Sequence, residues 1–166
     1  ISQSFPLKEE PPLLPSKMRR MEPLIQEFGY TLAGKALERD WEGVRLLLAP
    51  WLTLTTEEVQ EFFESDYREI LKSSGVEEMH WPEVPYVSGN SSDLASLREK
   101  KDWMQAARPI APEVTEANFR QWMTIQLQCS EEQTDELDFD YFTELWLIVC
   151  QTPEGLRVGY WSHSAY

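Results

Sequence analysis

The fold is decided by Phe119-Arg120-Gln121-Trp122-Met123-Thr124-Ile125-Gln126-Leu127-Gln128-Cys129. Phe119, Gln121, Met123, Ile125, Leu127 and Cys129 alternate with Arg120, Trp122, Thr124, Gln126 and Gln128. Successive side chains of a strand point to opposite faces, so a period of two predicts a strand with one buried face. Farther on, Tyr141–Gln151 contains Leu145-Trp146-Leu147-Ile148-Val149-Cys150. That run is apolar on both phases and predicts a central strand. Thr152-Pro153-Glu154-Gly155 reads as a turn, with proline second and glycine fourth. Leu156 to His163 returns as a third strand and completes a hairpin.

Upstream the period becomes helical. Proline suits a first helical turn, so a helix is expected from Glu22-Pro23, with Leu24, Ile25, Phe28, Leu32 and Ala36 in one apolar stripe. Asp40 marks a break. A short helix follows, with Trp41, Val44, Leu47 and Leu48 inward and Pro50 at its end. Thr55-Thr56-Glu57-Glu58 is a capping box, flanked by Leu54 and Val59 as a hydrophobic staple. The helix behind it carries Val59, Phe62, Phe63, Tyr67, Ile70 and Leu71 and stops at Gly75. Residues 76–92 read as loop, with Trp81-Pro82 and Val84-Pro85 inside them. Ser92 or Asp93 caps a modest helix through Leu94, Leu97 and Met104, and Pro109 and Pro112 forbid regular structure between them. Residues 1–21 form an irregular proline-rich arm, and residues 22–166 one α+β domain. The arm's Lys8, Lys17, Arg19 and Arg20 against Glu9 and Glu10 leave it at +2, suited to an acidic face of its own domain or of a neighbour. Helices first and antiparallel strands last predict N-terminal helices packed on one face of a curved C-terminal antiparallel sheet.

The charge is unevenly spread. Between Arg120 and Arg157, 36 residues hold no lysine or arginine but eight carboxylates, against a net charge of −14 for the chain. Glu131, Glu132, Asp135, Glu136, Asp138 and Asp140 form one block between two strands, with Glu144 and Glu154 beyond it. As a loop at the sheet ends, this block is a docking rim for a basic partner; plain solubility is the competing reading. With 15 basic and 29 acidic residues, the balance speaks against nucleic acid and against an anionic membrane. No apolar run reaches the ~18 residues of a membrane span. Cys129 and Cys150, in apolar runs without metal-ligand spacing, read as buried free thiols before a disulfide, which favours a reducing, cytoplasmic setting. The chain starts at Ile1 without a signal-like segment, as a trimmed or processed chain would.

Leu32-Ala33-Gly34-Lys35-Ala36-Leu37-Glu38-Arg39-Asp40-Trp41, then Leu46-Leu47-Leu48-Ala49-Pro50-Trp51, and the terminal strands with Trp146 and Tyr160-Trp161, resemble the NTF2-like (cystatin-like, SnoaL-type) superfamily. The resemblance spans about residues 22–164, and segment 73–115 departs from it. It implies a cone-shaped sheet and helices around a pocket. Some members are isomerases, cyclases or dehydratases with Asp, His or Tyr in the pocket; others only bind, including immunity proteins of toxin systems.

Candidate chemistry is sparse. A catalytic base needs a positioned partner. His163 sits in phase with Trp161 and Arg157 near Tyr160 and Tyr166, at a pocket mouth or simply in solvent; His80 lies in a loop, and Asp40 reads first as a helix-end residue. The chain shows no nucleophile elbow, phosphate loop or complete calcium loop; Asp138-Phe139-Asp140 is not followed by the required glycine. Asn90-Ser91-Ser92 is a formal glycosylation acceptor only. Neither a catalytic set, a metal set nor a cofactor is expected. Trp122 and Trp161 read as exposed sheet-face aromatics beside the carboxylates, the residue type that protein interfaces use. The leading expectation is a non-enzymatic acidic module that docks a basic protein, for example an immunity protein neutralising a toxin. The alternative is a small-molecule pocket with Tyr160 or His163 inside. A homodimer through the sheet face is a third reading.

Overall fold

The computed structural model describes residues 21–77, 80–89, 93–139 and 142–163, with the backbone alone over residues 93–99. In chain order the elements are α1 (Pro23–Leu37), α2 (Trp41–Arg45), α3 (Thr56–Ser73), β1 (Val84–Gly89), α4 (Asp93–Ala107), β2 (Phe119–Gln128), α5 (Glu131–Leu137), β3 (Phe142–Thr152) and β4 (Gly155–Ser162). The strands form an open antiparallel sheet in the order β1-β2-β3-β4. The chain is α+β, with its N-terminal helices packed on that sheet, as the period change predicts. β3 lies inside the sheet between β2 and β4, as a run apolar on both faces should.

Local chemistry explains the helices. Pro23 opens α1, and Ile25, Phe28, Leu32 and Ala36 are buried, whereas Leu24, expected in the stripe, is 65% exposed. Arg39, at φ 60, turns the chain out of α1, and the Asp40 carboxylate accepts the Gly43 amide at 3.0 Å to start α2. At α3 the Thr55 hydroxyl accepts the Glu58 amide at 3.1 Å and the Glu58 carboxylate accepts the Thr55 amide at 2.8 Å. This capping box is worth about 1 kcal/mol. Buried Val59, Phe63, Tyr67 and Leu71 form the inner face of α3.

The core has two sides. Ile25, Phe28, Leu32, Trp41, Val44, Val59 and Phe63 from α1–α3 meet Val87, Met123, Ile125, Leu127, Leu145, Leu147 and Val149 on one sheet face. α1 lies close: a Cβ on Gly29 would come within 2.9 Å of Val87 and 3.0 Å of the Met123 sulfur. The other face carries Ile148, Cys150 and Tyr160 under Trp103 and Ala107 of α4, with Ala111 and Val114. Trp103 packs against both Trp122 and Trp146, at centroid distances of 5.5 and 5.3 Å, and those two lie 6.3 Å from each other, so the three near-parallel rings form one triangular cluster. Helices therefore pack on both faces: α1–α3 where expected, α4 opposite. Each stacked aromatic pair adds about 0.5–1.5 kcal/mol to its area burial.

Three departures from the sequence reading have physical causes. Residues 84–89 are an edge strand, not loop, because an edge tolerates Pro85, whose missing N–H faces no partner. The first part of the acidic block, Glu131–Leu137, is a helix rather than a loop. Bulges also reset the strand phases. One at Phe119/Gln121 places Phe119 with the α4 side, away from Met123. The other, at Ile148/Val149 opposite Val158/Tyr160, makes Gly159 the extra residue. Val158 and Trp161 then both face α1–α3, while Arg157 and Tyr160 face α4, so Trp161 and His163 are out of phase with Arg157. Both cysteines are buried free thiols in separate clusters. Residues 1–20 of the arm, Asn90-Ser91-Ser92, Asp140 and Tyr166 lie outside the described residues, and Met21, the last residue of the arm, packs against the α1–α3 core.

Candidate docking surface

α5 forms because Ser130-Glu131-Glu132-Gln133 is a second capping box. The Ser130 hydroxyl accepts the Gln133 amide at 3.2 Å, and the Gln133 carbonyl oxygen accepts the Ser130 amide at 2.9 Å. The Gln133 side-chain amide also donates to the Trp81 carbonyl, tying the helix to the body. Leu137 and Phe139 pack against the cluster of Tyr67, Leu71 and Cys129. With that side anchored, Glu131, Glu132, Asp135, Glu136 and Asp138 remain exposed. Glu131 and Glu132 suit the positive end of the helix dipole. Asp135, Glu136 and the left-handed cap Asp138, at φ 63, do not, and the last turn holds no basic residue. Each ill-placed carboxylate costs roughly 0.3–1 kcal/mol. His80 Nδ1 stands 3.6 Å from Glu136 Oε1.

α5 joins the Gln128 end of β2 to the Phe142 end of β3, where no described residue covers the α4 side of the sheet and Val84, Tyr86 and Phe142 are exposed. Register rows order this open face. Val84 pairs with Gln128 and Gln128 with Phe142; Tyr86 pairs with Gln126 and Gln126 with Glu144. Phe142, Tyr86 and Val84 are 43%, 49% and 39% exposed. Gln128 donates to Gln126 at 2.7 Å, and Gln126 to Glu144 at 3.4 Å. Glu144, half-buried, pairs with no lysine or arginine among the described residues. Glu154 is at the other end of the sheet, where it accepts the Thr152 hydroxyl at 3.2 Å inside its own turn. The basic-free stretch is thus divided between two ends.

The expected aromatics lie elsewhere. Trp161 is only 9% exposed and stacks on Phe62 at 4.4 Å, so it belongs to the core rather than to a rim. Trp122 is half-buried in the stack with Trp103. Tyr160 and His163 are on opposite faces. Tyr160 sits under α4, and the His163 ring stacks on Phe62 at 4.1 Å with Nε2 on the Phe62 carbonyl. Neither lines the open depression of about 690 Å³ beside the C-terminal end of α3, which is bordered by Arg68, Leu71, Lys72 and Val76. Val84, Tyr86 and Phe142 were missed by sequence reasoning; their signal was hidden by Pro85 in one strand and by the position of Phe142 at the very start of the other.

Two buried acids are shifted. Burial pushes the Cys150 thiol up to about 12. Burial, then the adjoining Cys129, raises the Tyr67 hydroxyl. Both stay protonated at neutral pH and offer no nucleophile. Arg39 lies 5.0 Å over the Trp81 ring and 3.6 Å from buried Glu64, an ion pair that stitches α1 to α3. Among the described residues no group of three or more His, Cys, Asp or Glu could hold a metal ion, and no helix is long and apolar enough to cross a membrane. No family model, curated protein or solved structure matches the chain.

Proposed function

We propose that the chain is a non-enzymatic binding module that docks a basic protein through the end of the sheet carrying α5. The carrying observation is α5 itself: a helix anchored on one side by Gln133 and Leu137, with five exposed carboxylates on a stretch that holds no basic residue. Solubility needs acids anywhere on the surface. Placing three of them, Asp135, Glu136 and Asp138, at the C-terminal end of one short helix costs local stability, and locally unfavourable placements of this kind are expected at functional or strained sites. An acidic rim beside exposed aromatics speeds encounter with a basic surface and supplies apolar area once it docks. A toxin-neutralising immunity protein is one concrete form of this reading.

The pocket alternative of the NTF2-like resemblance draws less support. Leu32, Met123, Leu147 and Val149 fill the space between α1–α3 and the sheet at 0% exposure. The test is capture of a partner from source-cell extract followed by association kinetics. Carboxylate docking requires an on-rate that falls steeply with salt. Capture of no protein, or an on-rate that ignores salt, defeats the proposal.

A further inference from the structure

We infer that the open sheet face beside α5 is an arginine-reading platform, with Glu144 as its anion and Tyr86 and Phe142 as its apolar walls. The inference rests on the docking reading above and names which basic side chain the partner presents. Tyr86, Gln126 and Glu144 lie on one register row, and Val84, Gln128 and Phe142 on the next. Residues within a row are about 5 Å apart and diagonal neighbours in adjacent rows about 7–8 Å, within reach of aromatic and long side chains, so the two rows form one patch. Its chemistry is specific. A half-buried carboxylate is steadied by the Gln126 amide at 3.4 Å and has no cation of its own among the described residues. On the same face stand the Phe142 ring, two residues along its own strand, and the Tyr86 phenol, across Gln126 on β1, 43% and 49% exposed. A guanidinium is planar, binds a carboxylate through two parallel N–H donors and stacks on aromatic faces; an ammonium does neither. Gln126 and Gln128 also offer amide oxygens to a guanidinium's outer N–H groups. The occupant is therefore a protein segment carrying arginine next to an apolar residue, drawn in by the α5 carboxylates that border the same end of the sheet.

The experiment titrates the whole chain, followed by amide-resolved NMR, with the peptide Ac-Ala-Arg-Leu-Arg-Ala-NH2 and with its lysine twin. The arginine peptide is expected to bind about tenfold tighter than the twin, the equivalent of one added charge-assisted hydrogen bond. It should shift the side-chain amides of Gln126 and Gln128. Glu144→Gln, which keeps the shape, should erase the preference, and Tyr86→Ala, at an exposed position, should weaken it several-fold. Neutralising Glu131, Glu132, Asp135 and Glu136 to their amides should weaken both peptides alike and keep the ratio. Equal binding of both peptides with shifts confined to α5 overturns the arginine platform while leaving acidic docking intact. A retained preference with no effect of the α5 changes upholds the platform and removes the α5 rim. No binding of either peptide overturns the platform. So does a dimer of the chain alone that Tyr86→Ala dissolves, since a second copy would then occupy the face.

Discussion

Gly159→Ala tests the bulge that turns Trp161 inward. A Cβ at this position would meet the Cys150 sulfur at 2.4 Å, where ordinary contact begins at 3.4 Å, so about 1 Å of space is missing. Cys150 is fully buried and in one cluster with Trp103, Ala107 and Ala111, so it has little freedom to yield. Overpacking of this kind costs about 1–3 kcal/mol. For a chain of this length each kcal/mol lowers Tm by about 2–4 °C, which gives a fall of roughly 2–12 °C. Cys150→Ala removes the clashing sulfur; the next contacts, Val114 at 3.2 Å and the Cys150 Cβ at 3.3 Å, are tight but yield by tenths of an ångström. The double variant should therefore be less destabilised than the sum of the singles, with a coupling of about 1–2 kcal/mol. Urea unfolding of the four proteins measures it. A Gly159→Ala change within about 0.5 kcal/mol of wild type, or additive single effects, would refute the bulge packing.

Other expectations follow from the same packing. Trp103→Ala, which removes the α4 ring from its cluster with Trp122 and Trp146, should cost about 3–5 kcal/mol and weaken the near-ultraviolet dichroism; a loss under 1 kcal/mol contradicts it. Ser130→Ala should cost about 0.5–2 kcal/mol and speed amide exchange across Glu131–Leu137, and unchanged exchange there would show that the cap does not hold α5. Cys150 should resist thiol reagents at pH 8 until the chain unfolds. Its folded pKa, raised from 9.0 to about 12, makes the unfolded state release its proton first. Its contribution is therefore whole below pH 9 and is lost as pH rises towards 12, and Cys150→Ala should flatten that part of an alkaline stability curve. An equally steep curve in the variant would count against it.

Elements with strong periodicity or cap chemistry were legible in the sequence. The β2 alternation, the doubly apolar β3, the Thr55 capping box and the turn at Pro153 each specify their own structure locally. What escaped depended on long-range contacts. The phase of β4 flips at Gly159, the extra residue set against Ile148/Val149 and close to Cys150 of the neighbouring strand, and no pattern within Leu156–His163 reveals it. β1 is short and holds Pro85, so only its pairing with β2 makes it a strand. α5 was different: Ser130 and Gln133 announce a helix start, but a block of carboxylates disguises it as loop. The acidic part of the candidate surface was visible as charge. Its aromatic part was not, because Tyr86 and Phe142 meet only through Gln126 and Gln128 of the strand between them.

The association rate with a captured basic partner, measured from low to high sodium chloride, tests acidic docking most directly. Wild type and the chain with Glu131, Glu132, Asp135 and Glu136 changed to their amides should be compared. Over this range the screening length falls from roughly 30 Å at 0.01 M to about 8 Å at 0.15 M salt. The account predicts a steep fall for wild type, a shallower one for the variant, and convergence of the two at high salt. Coincident curves for the two proteins would contradict it.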